Sequence, residues 1–151
     1  MNYWLMKSEP DCFSIDDLIK VGGPSMWEGC RNYTVRNFFR DTMAVGDMAF
    51  FYHSSVVPAG IVGTMKIVSE AYPDPTQFDP KSDYYDPKAP ADGSRWILRD
   101  VEFVEKFDKT ITLQQIKATP GLENMGVVQR GQRLSVMPVT KEEWDIIIKM
   151  K

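Results

Sequence analysis

Met48-Ala49-Phe50-Phe51-Tyr52-His53 is followed, after Ser54-Ser55-Val56-Val57-Pro58-Ala59, by Gly60-Ile61-Val62-Gly63-Thr64-Met65-Lys66-Ile67-Val68-Ser69. The first run is apolar at odd and even positions alike, the pattern of a strand covered on both faces. The second is rich in β-branched residues, which favour extended backbone. So short a join predicts that the two strands are antiparallel neighbours. They are the expected centre of a sheet.

Outward from this pair, Thr34 to Met43 reads as a helix, with Val35, Phe38, Phe39 and Met43 at helical spacing and Arg36 and Arg40 on another stripe. Tyr3-Trp4-Leu5-Met6-Lys7 reads as a strand that Ser8-Glu9-Pro10-Asp11 stops. Ser14 is an expected N-cap, with Asp16 and Asp17 where the helix dipole favours acids and Gly22-Gly23-Pro24 at the far end. Arg95 to Phe107 alternates like a half-buried strand, and Thr112 opens a short helix. Leu134 to Val139 is a late strand. Thr140 and Glu143 form a capping box for a last helix that carries Trp144, Ile147 and Ile148.

Tyr72 to Gly93 holds five prolines and many aspartates, which exclude regular structure, but Tyr72, Phe78, Tyr84 and Tyr85 predict that it packs on something. Long ordered loops in small domains are more often functional than not. With few βαβ units, the order predicts an α+β fold: a curved, mixed but mostly antiparallel sheet closing toward a pseudo-barrel, with helices at its rim.

The length suits one domain spanning residues 1–151. No run of about 18 apolar residues predicts a membrane span, and no basic leader precedes an apolar region. Cys12 and Cys30 are not a CxxC pair, and with one histidine they cannot assemble a usual zinc site. A reducing, cytoplasmic setting fits best. The net charge of -3 argues against a coat that holds long duplex by charge alone. It leaves room for a module that grips one nucleotide through a local basic patch.

No catalytic residue, metal or cofactor is assigned. His53 sits beside Ser54, but adjacency does not supply the geometry of a Ser–His pair. Fingerprints for phosphate loops and dinucleotides are absent. Asp79, Asp83 and Asp86 lack EF-hand spacing and read as a solvated face. A small hydrolase or nucleotide-acting enzyme using His53 and Ser54 is the alternative. A protein-interaction module on the Tyr72–Gly93 loop is another, and it predicts that the protein's own side chains fill the space beside Trp27.

Trp27-Glu28-Gly29-Cys30-Arg31-Asn32-Tyr33 offers what holds a flat polar ligand: aromatic planes, an amide and a cation. An unstacked base is held by flat side chains and by hydrogen bonds to its edge. Trp27 and Tyr33 could supply the planes and Asn32 the edge partner, with Ser8, His53 and Ser54 converging on the same rim. The competing reading makes Trp27 and Tyr33 core aromatics and Asn32 a turn residue. Residue chemistry leaves both open. Arg31, Arg36, Arg40, Arg130 and Arg133 are candidate phosphate partners.

Tyr3 to Pro10, Trp27 to Tyr33, Phe50-Phe51-Tyr52-His53-Ser54, Gly60-Ile61-Val62-Gly63, Glu70-Ala71-Tyr72-Pro73-Asp74 and Gln132 to Val139, taken in order, resemble the EVE domain family over nearly the whole chain. The resemblance implies a PUA-like fold related to YTH and ASCH domains. It implies a monomeric, stand-alone bacterial member that recognises a modified base in DNA or RNA, with modified cytosine the usual suspicion. By likeness to the aromatic cages of YTH domains, Ser8, Trp27, Asn32 and Tyr33 would line the pocket, with Tyr52, His53 and Ser54 beside them. Lys7, Arg31, Arg36 and Arg133 would face phosphates.

Overall fold

The computed structural model describes residues 1–151. In chain order the elements are β1 (Tyr3–Ser8), α1 (Ile15–Val21), β2 (Ser25–Met26), α2 (Tyr33–Asn37), β3 (Met48–His53), β4 (Gly60–Ile67), β5 (Tyr72–Pro73), β6 (Ile97–Leu98), β7 (Asp100–Thr112), α3 (Leu113–Lys117), β8 (Val136–Val139) and α4 (Lys141–Met150). β3 and β4 pair antiparallel from Met48↔Lys66 to His53↔Gly60, as their short join requires. The main sheet runs β2-β7-β4-β3-β1-β8, and β1–β3 is its parallel pair. Register shifts in β4, toward both β3 and β7, bend the sheet into a curled half-barrel flanked by helices. The fold is α+β.

Both faces of the sheet are covered. Trp4, Met6 and Phe51 join Trp27, Val35 and Phe39 on one face, while Leu5, Phe50 and Tyr52 join Ile61, Trp144 and Ile147 on the other. Side chains alternate across a strand, so each central strand feeds both cores. Full capping boxes start α1 at Ser14, α3 at Thr112 and α4 at Thr140. No helix is long and apolar enough to cross a membrane.

Four elements depart from expectation, one being the start of the long loop, where Tyr72–Pro73 forms β5 against β6 and Pro75–Phe78 makes a 3-10 turn opened by Asp74. The helix over Thr34–Met43 is α-helical only to Asn37 and widens into a π-helical turn over Phe38–Thr42, where the Met43 amide donates to the Phe38 carbonyl. Buried Arg99 explains the widening, since its Nε donates to the Phe39 carbonyl at 2.7 Å and occupies an acceptor at that turn. The strand over Arg95–Phe107 divides at Arg99, because Ile97–Leu98 pairs with β5 whereas β7 pairs with β2 and β4. The late strand is shorter than Leu134–Val139. Within the long loop, Asp79, Asp86 and Asp92 each accept a backbone amide two residues on, which shapes tight turns.

Asp47 fastens the start of the sheet. Its buried carboxylate accepts from the Asn2 amide, the Trp4 indole and the Ala44 amide, each at 3.0 Å. Asp47→Ala strands a buried indole N–H and two amides, so it is expected to lower the unfolding free energy by about 3 kcal/mol. Urea unfolding followed by tryptophan fluorescence checks this, and a loss under about 1 kcal/mol would contradict it.

Candidate nucleic-acid interface

Asp74 is 1% exposed. Its carboxylate accepts from the Gly29 amide at 2.8 Å, the Arg31 guanidinium at 3.0 Å, and the amide and hydroxyl of Thr76. Arg31 also donates to the Tyr84 carbonyl through Nε and Nη2, at 3.1 and 2.8 Å. These bonds clamp the proline-rich loop onto the Trp27–Tyr33 segment. Gly29 has φ +89°, and a Cβ there would lie 2.5 Å from the Tyr84 ring. Only glycine lets that ring lie flat on the backbone. Burial acts to raise the Asp74 pKa, but the bonds from Gly29, Thr76 and Arg31 outweigh it and hold the carboxyl below its ordinary value.

The clamped loop closes one side of an open cavity of about 440 Å³ between the end of β1 and the Trp27–Cys30 segment. That volume suits a small flat ligand. Trp27, Phe13, Met26 and Tyr84 give it flat and apolar walls, and Ser8, Ser25 and Ser135 give it hydroxyls. Trp27 is 6% exposed and held edge-on by Phe51 and Phe13, so the indole is fixed in place and still reaches the cavity. Cys30 is a neutral thiol there, because burial pushes its pKa up to about 11. Three charged residues also line the space, Lys7, Glu9 and Glu28, and the Lys7 ammonium lies 5.9 Å from the centre of the Tyr52 ring. Burial lowers the pKa of Lys7, and burial followed by the nearby Asp74 charge raises that of Glu28. Glu9 accepts from the Ser55 hydroxyl at 3.3 Å, whereas Glu28 lines the cavity free of any hydrogen bond or ion pair.

Of the expected base contacts, Ser8 and Trp27 line this cavity, and Lys7, expected at phosphates, lies beside them. The structure places the others outside its wall. The Asn32 side chain caps α2 by accepting from the Val35 amide at 3.1 Å. Tyr33 stacks on Trp96. Tyr52 is buried in the opposite core. His53 accepts from the Ile15 amide through Nε2, and burial lowers its pKa. Ser54 donates its amide to the Ser8 carbonyl. Arg31 is tied to Asp74, Arg36 lies over Tyr33, and Arg133 is exposed before β8. Among the lining residues missed were Phe13, Met26, Glu28, Cys30, Tyr84 and Ser135. Glu28 and Cys30 stood inside the quoted segment, whereas nothing local marked Tyr84 or Ser135. The cavity is open, contrary to the protein-interaction alternative.

The chain is similar to known proteins. The EVE domain family model matches residues 2–150. The mouse protein thymocyte nuclear protein 1 is 45% identical over 168 residues, which cover 99% of this chain and 74% of that protein. A crystal structure of a Pseudomonas putida protein aligns with TM-score 0.93 and 49% identity over 98% of each chain. The human THYN1 protein in complex with 5-methylcytosine-containing DNA aligns with TM-score 0.90 and 43% identity, over 99% of this chain and 97% of that one. An ASCH protein from Zymomonas mobilis, at TM-score 0.58 and 11% identity, shares the fold alone.

The clamp has a pH signature. A carboxyl whose folded pKa is depressed contributes stability in full above its unfolded value, near 3.8, and loses it as the pH falls through the folded value. Asp74→Asn is expected to cost about 3 kcal/mol at pH 7. The gap between wild type and variant should shrink as the pH drops below 3.8. Urea unfolding at a series of pH values measures the gap, and a gap constant down to acid unfolding would contradict the assignment.

Proposed function

The chain belongs to the EVE domain family, and on that footing we propose that it is a binding module for a modified cytosine in DNA, with the base lodged in the cavity beside Trp27. The complex of its human relative with 5-methylcytosine-containing DNA supports the choice of ligand. The observation that carries the reading is Glu28, a carboxylate with no partner in the protein, at the wall of an aromatic cavity. Cytosine presents an amino donor beside ring nitrogen and carbonyl acceptors. The Glu28 carboxylate takes the amino group, and the Ser25 and Ser135 hydroxyls donate to the acceptors. Thymine carries the same 5-methyl group but reverses that edge, with a carbonyl where cytosine has the amino group.

The magnitudes divide the work. Burying one methyl contributes about 0.8 kcal/mol, roughly fourfold in affinity. A carboxylate that the bound base covers, left facing the wrong edge, costs about 1–3 kcal/mol. The methyl therefore tunes binding, and Glu28 selects cytosine. Binding fits better than catalysis because the His53 Nε2 lone pair is already engaged by the Ile15 amide and no carboxylate bonds to the ring.

Fluorescence anisotropy with single strands that differ at one position tests this. Wild type should bind 5-methylcytosine more tightly than cytosine, and cytosine more tightly than thymine. Glu28→Ala should reduce the cytosine-over-thymine preference by about tenfold. Equal wild-type affinity for all three strands, or an unchanged preference in Glu28→Ala, would refute the reading.

A further inference from the structure

Tyr84, a wall of the cavity, is also one end of a column of alternating rings and guanidinium groups. The Arg31 guanidinium lies 5.6 Å from the Tyr84 ring centre and 5.4 Å from that of Trp96. Trp96 stacks on Tyr33 with centres 5.1 Å apart and planes 13° apart. Arg36 lies 4.7 Å from the Tyr33 ring centre and ends the column. The inner members are fixed, Arg31 by Asp74 and Trp96 by its indole bond to Asp86 at 2.9 Å. The outer end is open, with Tyr33 54% exposed.

Of the cations at that end, Arg36 is held but not neutralised. Arg36 donates through Nε and Nη2 to the Asn37 side-chain oxygen, at 3.1 and 3.0 Å. Arg40 donates to the same oxygen at 3.2 Å. Asp41 answers Arg40, whereas Arg36 forms no salt bridge and its Nη1 makes no hydrogen bond. An unpaired guanidinium backed by a stacked ring has the chemistry of a nucleotide site: its outer face takes a base and its free Nη1 a phosphate.

We propose that the Tyr33–Arg36 end of the column is a second nucleotide site, which takes an unpaired base flanking the one in the cavity. The flanking base stacks on the outer face of the Arg36 guanidinium, which Tyr33 backs, and its phosphate pairs with the free Nη1. The site rests on the reading of the cavity as a base pocket, reached along the same column through Tyr84. Every base has a π face, so the second site adds affinity without choosing sequence. Tyr33 thus supports the platform for the neighbour of the modified base, not for the modified base itself.

The test compares a nine-nucleotide single strand carrying one central 5-methylcytosine, its unmethylated twin, and 5-methyldeoxycytidine monophosphate. Tyr33→Ala is expected to weaken both strands by the same factor, on the order of tenfold. Its loss on the strand should exceed its loss on the mononucleotide at least fivefold. Tyr33→Trp, which keeps a plane, should retain more affinity than Tyr33→Ala. Arg36→Gln, a surface change that spares the fold, should flatten the salt dependence of strand binding by about 0.7 in log–log slope. Strand binding as tight as wild type in both Tyr33→Ala and Arg36→Gln would overturn the second site while wild type still prefers the methylated strand. If wild type shows no such preference, the cavity reading fails instead, and the second site stands or falls on Tyr33→Ala with the longer strand.

Discussion

A carboxylate taken out of water destabilises a fold unless several donors replace the solvent. Asp74 meets that condition with four donors, one from Gly29, one from Arg31 and two from Thr76. The same bonds bring two distant parts of the chain together. Without them the proline-rich loop would be held to the Trp27–Tyr33 segment only through Arg31, which donates to Tyr84 and Thr76, and the Tyr33–Trp96 stack. The cavity wall and the inner half of the ring–guanidinium column both follow from this one buried charge.

The sheet serves the site in a different way. β1 and β3 run parallel at its centre and end together at Ser8 and His53. The turn after β1 then carries Phe13 back to the cavity, held by the Ser8 hydroxyl donating to the Phe13 carbonyl at 2.6 Å. His53 supports the same turn by accepting from Ile15. Its lowered pKa keeps the ring neutral, which an acceptor must be. A residue that could suggest a catalytic base is thereby a strut for one cavity wall.

Much of the fold was legible because the signals were local. Ser14, Thr112 and Thr140 announce helices by capping chemistry, and β3 announces its central place by being apolar on both faces. Some of the site was legible by rules that compete with likeness. Asn32 directly precedes a helix, where an asparagine side chain is best employed as a cap. Tyr52 and His53 are adjacent on a strand, so they cannot face the same side. Tyr84 and Ser135 were not legible. They reach the cavity across 54 and 105 residues from Cys30, through a loop clamp and a sheet edge that no local pattern encodes. The π-helical turn was hidden for the same reason, since Arg99 lies 60 positions from the carbonyl it occupies.

On an acidic chain, selectivity and grip separate naturally. On the proposed reading, Glu28 at the cavity wall selects the base and Arg36 outside it holds a phosphate. The most direct test of this division is a crystal structure of the protein with a short single strand carrying one 5-methylcytosine. The account predicts that the modified base lies between Trp27 and Tyr84, with its amino group at Glu28. A strand bound with this cavity empty, and the methylated base elsewhere on the surface, would contradict it.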